Sequence, residues 1–252
     1  MSDEAAGATL YLIATPIGNL EDVTYRAVRL LKELRVLACE DTRRTRILLD
    51  RYGIGKPAVL LAYHEHNEDR AAERILDLLA EGSSVGIVTN AGYPGISDPG
   101  YVISRRAAEA GYRVEVIPGG SAVPQALLLS GLPSSSFTFK GFPPRKGGQR
   151  RRFLAAERES PHTLVLFESP YRIGALLEDA LAVLGNRLAA VCVELTKMFE
   201  QVDRDHLAAL AERYRGRQVK GEVTVVIAGS NPKFVGEEGR GSASGGVAPG
   251  GA

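Results

Sequence analysis

Short apolar runs rich in β-branched residues alternate with longer helical patterns almost from the start of the chain, and this alternation restricts the fold most. Strands are expected at Thr9–Ala14, Arg35–Cys39, Ala58–Leu61, Val85–Thr89 and Arg113–Ile117. Between them lie helical patterns at Val23–Leu34, Thr42–Tyr52, Asn67–Glu81 and Ser97–Ala110. In the third of these, Ala71, Ile75, Leu78 and Leu79 share one face, with Asn67 placed to cap the start and Gly82 to stop the end. Strand–helix alternation of this kind predicts an α/β fold with a mostly parallel sheet covered by helices.

A second series follows the turn Pro118-Gly119-Gly120. A helix is expected at Ala122–Leu129, strands at Phe137–Lys140, Thr163–Phe167, Leu188–Val193 and Glu222–Ala228, and helices at Gln149–Glu159, Ile173–Leu184 and Asp205–Tyr214. The series divide the chain into an N-terminal lobe, 9–118, and a C-terminal lobe, 119–230. Residues 1–8 and the Gly/Ser/Ala-rich stretch 231–252 have little to bury and are expected to be disordered.

With 252 residues and a formal net charge of +1, whole-chain charge predicts neither nucleic-acid nor membrane association, so any basic surface must be local. Cys39 and Cys192, the two cysteines, sit in apolar runs and read as buried thiols. Apolar stretches such as Ala8–Ala14 have strand length, not that of a membrane span. Asp3 and Glu4 stand where a secretory signal would be basic, and a cytoplasmic protein is expected.

Four Gly/Pro-rich turns directly follow strands: TPIGNL (Thr15–Leu20), TNAGYPGISDPG (Thr89–Gly100), PGGSA (Pro118–Ala122) and FESPYR (Phe167–Arg172). In α/β sheets ligands bind beyond the carboxyl ends of strands, where loops without side chains let a ligand reach the backbone. Glycine and proline also end strands in purely structural loops. None of the four matches the dinucleotide fingerprint or the P-loop. The residues alone point to a cleft for a small nucleotide-like molecule.

These motifs, together with CEDTR (Cys39–Arg43), ELTK (Glu194–Lys197) and Gly221-Glu222, occur in order over residues 9–229. In that order they resemble the ribosomal RNA small subunit methyltransferase I family, of the tetrapyrrole-methylase-like superfamily. The resemblance implies two α/β lobes, each a mostly parallel or mixed sheet flanked by helices, with a cofactor cleft between them, in a homodimer. It implies 2′-O-methylation of a cytidine in the decoding region of 16S ribosomal RNA, with S-adenosyl-L-methionine as cofactor and no metal. Position by position, it places cofactor contacts at Pro16, Gly18, Gly92, Ile96, Ser121, Ala122, Phe167 and Thr224. The chain departs from the family pattern with Asn90 and Tyr93, where Asp and Thr are usual. Tyr171 stands where His is common, and Gly120 where Pro is frequent.

A ribose hydroxyl is a poor acid, so a nearby base or cation should help its proton leave. Glu168 is the candidate acceptor or orienter and Lys197 the candidate oxyanion partner; a plain Glu–Lys brace is the alternative. His64 and His66 are the runners-up. For RNA, the run Pro144–Arg152 gathers Arg145, Lys146, Arg150, Arg151 and Arg152 without an acidic residue, leaving the rest of the chain negative. Such a run suits phosphate contacts, though charge runs are also ordinary solvated faces. Arg43, Arg44 and Arg46 extend the track, and Phe142 and Tyr171 are placed to stack an unpaired base. Two rival readings are a methyltransferase for a tetrapyrrole-like small molecule and a non-catalytic RNA-binding or ribosome-assembly factor.

Overall fold

The computed structural model describes residues 7–234, which divide into two compact units with the boundary between Ala122 and Val123. The expected disorder of 1–8 and 231–252 falls largely outside the described residues; within them, Pro232–Phe234 form a 3-10 turn.

The first unit is built from β1 (Thr9–Ile13), α1 (Tyr25–Glu33), β2 (Val36–Cys39), α2 (Thr42–Arg51), β3 (Val59–Ala62), α3 (Glu68–Ala80), β4 (Val85–Val88), α4 (Tyr101–Glu109) and β5 (Arg113–Ile117). Its five strands run parallel in the order β3-β2-β4-β1-β5. The three inner strands β2, β4 and β1 are covered on both faces and are nearly continuous apolar runs, whereas the edge strand β5 carries Arg113 and Glu115. Leu10, Val36, Val85 and Ile87 pack with Ile75 of α3 and Ile103 of α4 on one face. Ile13, Leu37, Cys39 and Val88 pack with Leu30 of α1 and Leu48 of α2 on the other.

The starts of α4 and α3 depart from expectation for a structural reason. α4 begins at Tyr101 and not at Ser97 because Ser97 (φ 61°) and Gly100 (φ 148°) are left-handed, which no right-handed helix accepts. A Cβ at Gly100 would lie 2.6 Å from the Gly95 nitrogen, so only glycine fits there. Asn67 occupies the α3 cap position, yet its side chain does not cap the helix. It accepts from the His64 N–H (2.8 Å) and donates to the Ala62 carbonyl, tying β3 to the helix start.

The second unit takes in most of α5 (Ala122–Ser130), then β6 (Phe137–Phe139), α6 (Gly147–Ala155), β7 (Thr163–Glu168), α7 (Ile173–Leu184), β8 (Leu188–Val193), β9 (Gln201–His206), α8 (Leu207–Tyr214) and β10 (Val223–Ile227). Its sheet is mixed, in the order β6-β7-β10-β8-β9, with only the β6–β7 pair parallel. Leu166, Val191 and Val225 meet Leu177 of α7 and Leu210 of α8 in one core, which Leu154 of α6 joins. The strand β9 was not expected. Its sequence, QVDRDH, is polar because it is an edge strand, paired with β8 alone, and the helix read as starting at Asp205 starts at Leu207.

Both cysteines are buried, and burial pushes the Cys192 thiol up to about 12 and raises Cys39 as well. Among the described residues no helix is long and apolar enough to cross a membrane.

Candidate functional site

Three of the Gly/Pro turns meet at the carboxyl edge of the first sheet. The loop after β1 is joined to the loop after β4 by a two-bond bridge, Thr15 N–H to the Gly92 carbonyl (2.9 Å) and Gly92 N–H to the Thr15 carbonyl (3.0 Å). Gly92 takes φ +75° to make it, a conformation costly for any β-branched residue. The Tyr93 hydroxyl then ties the β4 loop to the β5 loop, accepting from the Gly119 N–H (3.1 Å) and donating to its carbonyl (3.4 Å). Tyr93, a departure from the family pattern, is thus a structural tie.

Of the expected cofactor contacts, Pro16 and Gly92 are buried side by side in this arrangement, and Ser121 and Ala122 follow the tied Gly119. Gly18 and Ile96 are exposed on the same loops; the Ile96 N–H donates to the Tyr93 carbonyl. In the second unit, Phe167 and Thr224 are register partners across β7 and β10. The groups offered at these positions are backbone and hydroxyl, and both thiols are buried, Cys192 as the register partner of Thr224 across β8 and β10.

On the α2 flank of the β1 loop lies a cavity of about 160 Å³, bounded by Thr15, Pro16, Arg44, Ile47, Thr89 and Asn90 among others. Asn90 is fixed through its N–H to the Glu40 carboxylate (3.2 Å), while its Oδ1 is buried without a partner. His64, at the end of β3, also buries an unpartnered atom, Nδ1; His66 is exposed beside Glu65.

In the second unit Glu168 ends β7 with its side chain fully buried. Its Oε1 accepts from Arg172 Nε (2.8 Å) and Nη2 (2.5 Å) and from the Ser169 N–H (2.7 Å), while Oε2 has no partner. Arg172 was missed, although it closes the FESPYR motif four residues after Glu168 and so was available as an i,i+4 partner. Lys197 is held between Glu194 Oε1 (2.7 Å) and Glu222 Oε2 (3.1 Å). Burial is the largest single influence and works against these charges, yet the hydrogen bonds and opposite charges of the cluster together outweigh it on both sides. Lys197 sits above the ordinary lysine range, helped by Glu222, and Glu194 below the ordinary carboxylate range. The loop that carries them bends through left-handed Glu194 (φ 52°) and Thr196 (φ 65°).

The basic run needs one correction. Arg150 is not a surface cation: its side chain is 7% exposed, paired at 2.6 Å with Asp179 of α7 and bonded to the Arg145 and Ala175 carbonyls. Its guanidinium completes the α6–α7 packing and is closed to a phosphate. Arg145, Lys146, Arg151 and Arg152 are exposed, as is Arg43, which reaches back to Asp41 at 3.3 Å. Phe142 is half-exposed against Phe167, ring centres 5.6 Å apart, and Tyr171 is almost wholly exposed.

The family model for tetrapyrrole (corrin/porphyrin) methylases matches residues 9–211. A protein of Halalkalibacterium halodurans called ribosomal RNA small subunit methyltransferase I is 45% identical over 230 residues, 91% of this chain and 79% of that protein. One of the same designation from Thermotoga maritima is 41% identical, over 87% of this chain and 98% of its own length. The chain belongs to the ribosomal RNA small subunit methyltransferase I family. Members of this family share the tetrapyrrole methylase fold, and solved structures agree with that here. The methyltransferase CobJ superposes with a TM-score of 0.66 at 18% identity, over 89% of this chain and 95% of its own. Diphthine synthase gives 0.65 at 18%, over 88% and 90%. At such identities the likeness concerns the fold alone, and in this family member the site must be argued from its own residues.

Proposed function

We propose that this methyltransferase uses S-adenosylmethionine to methylate the 2′-hydroxyl of a cytidine in the decoding region of 16S ribosomal RNA, acting in the cytoplasm as a homodimer on the RNA or the small subunit. The observation that carries the reading is the set of three tied loops at the edge of the first sheet, in a chain whose relatives are designated for small-subunit ribosomal RNA. The cofactor would be held by Pro16, Gly18, Gly92, Ile96, Ser121 and Ala122 of the first unit, with Phe167 and Thr224 from the second. When bound, it supplies a methyl group activated by a sulfonium. The chain's part is to hold the acceptor oxygen in line with that methyl, so positioning carries much of the rate.

Glu168 acts through Arg172. The buried carboxylate fixes the guanidinium at the end of β7, where a cation favours loss of the hydroxyl proton. Lys197, already balanced by two carboxylates, holds the neighbouring loop in shape and adds a weaker positive field. Phosphates are met by Arg145, Lys146, Arg151, Arg152 and Arg43, where counterion release makes association salt-dependent.

The test is transfer of radiolabelled methyl from S-adenosylmethionine to small ribosomal subunits lacking their native methylations. Label at an alkali-resistant ribose is the expected result. No label, from protein that binds the cofactor by calorimetry, refutes the RNA acceptor and moves the assignment to a small molecule.

A further inference from the structure

We propose that the cavity between the β1 loop and α2 receives one unstacked pyrimidine of the acceptor RNA, read on its edge by the Asn90 side chain; this rests on the RNA methyltransferase reading above. The size comes first. At about 160 Å³ the cavity is well below the roughly 300–1,000 Å³ of sites that enclose a whole cofactor-sized ligand. It has room for a single ring.

The walls match that ring. Pro16, Leu20, Ile47 and Leu48 give apolar surface for its faces, and Thr15, Thr89 and Asn90 give a polar rim for its edge. That rim is short of donors. The Thr15 hydroxyl donates to the Thr89 carbonyl (3.1 Å) and the Thr89 hydroxyl to the Ala91 carbonyl (3.4 Å), so each hydroxyl has only acceptor capacity left. Asn90 Oδ1 is a third acceptor, buried and unpartnered, on a residue pinned through its backbone to Glu40. A buried acceptor without a donor is costly and calls for a ligand that brings one. An exocyclic amino group beside a ring acceptor, the edge of an amino-pyrimidine, supplies that donor and takes the amide N–H in return.

Charge and position agree. Arg44 lines the cavity, with Arg43 and Arg46 exposed on the same turns of α2, placed for the phosphates on either side of a splayed-out base. The β5 loop contributes nothing to the cavity, whereas Pro16 belongs both to its wall and to the loop that bridges Gly92. A base seated here therefore lies against the proposed cofactor loop without occupying it.

The experiment measures kcat/KM for methyl transfer to unmethylated small subunits, and cofactor affinity by calorimetry, for wild type, Asn90→Leu, Asn90→Asp and Ile47→Asp. Asn90→Leu, of similar size but unable to hydrogen-bond, is expected to lower kcat/KM about thirtyfold with cofactor affinity held within about twofold. Asn90→Asp keeps an acceptor oxygen and should regain about tenfold of that loss. Ile47 is on the exposed rim, so Ile47→Asp tests the apolar wall without threatening the fold, and the same split between the two readouts is expected. A parallel fall in cofactor affinity would give the cavity to the cofactor and overturn the proposal, as would kcat/KM unchanged in both Asn90→Leu and Ile47→Asp. Wild-type protein that labels no RNA sinks the broader reading, and the pocket assignment with it.

Discussion

Removing the Arg150 guanidinium tests whether the basic run is one surface or two kinds of residue. Arg150→Ala strips Asp179 of contacts at 2.6 and 2.7 Å and leaves that carboxylate, 14% exposed, with only the Arg151 Nε at 3.5 Å. Breaking a buried pair by removing one partner costs about 3–5 kcal/mol, and the remaining Arg151 contact places this case at the low end, about 3 kcal/mol. For a chain of this size that corresponds to a fall of roughly 6–12 °C in the melting temperature. The double variant Arg150→Met/Asp179→Leu, which removes both charges and keeps bulk, should be close to neutral. Calorimetric melting, with hydrogen exchange read at the amides of α6 and α7, gives the stability. RNA association at several salt concentrations gives the other half: Arg150→Ala should leave its salt slope unchanged, whereas Arg151→Ala/Arg152→Ala should flatten it. An Arg150→Ala protein that is as stable as wild type but shallower in salt slope would refute the buried-pair account and return Arg150 to the phosphate track.

Gly92→Val forces a β-branched residue into φ +75°, with its Cβ 3.6 Å from Ile17 Cγ2, and strain of about 1–3 kcal/mol should open the Thr15 bridge. Cofactor affinity by calorimetry should fall by about tenfold or more, and unaltered affinity would remove this loop from the site. The Lys197 cluster gives stability two limbs. Glu194, lowered in the folded state, stabilises above its ordinary value of 4.5 and loses that contribution as pH falls through the lowered one. Lys197, raised, stabilises below 10.5 and loses its contribution as pH rises through the raised value. Urea unfolding across pH should show Lys197→Met weakening both limbs; a pH profile parallel to wild type would argue against the coupling.

The first unit was legible because its inner strands are apolar on both faces and bounded by turn residues, as in Val85–Val88. Periodicity also placed the buried stripe of α3, where Ile75, Leu78 and Leu79 are buried as expected. What escaped was whatever depends on a distant partner. Gln201–His206 gave no strand signal because its outer edge meets solvent and its pairing is supplied by β8. Arg150 looked like its neighbours because Asp179, which buries it, lies 29 residues away. The site loops stood out as Gly/Pro turns after strands, but Tyr93 read only as a departure from the family pattern because its hydroxyl partner, Gly119, belongs to another loop. The unpartnered Oδ1 of Asn90 has no signature in sequence, since only packing decides which acceptors find donors.

The strand order of the second sheet carries a consequence for synthesis. β10, formed by residues 223–227, lies between β7 and β8 and pairs with both. The first unit has all its strands once Ile117 is made, so it can fold while the rest of the chain is still emerging. The second unit has no such freedom. Until Val223–Ile227 arrive, β7 and β8 present inward edges of unpaired N–H and C=O groups, the kind of surface that recruits other strands. A released chain that stops short of residue 223 thus has a first half able to fold and a second half left as two open sheet fragments, β6–β7 and β8–β9.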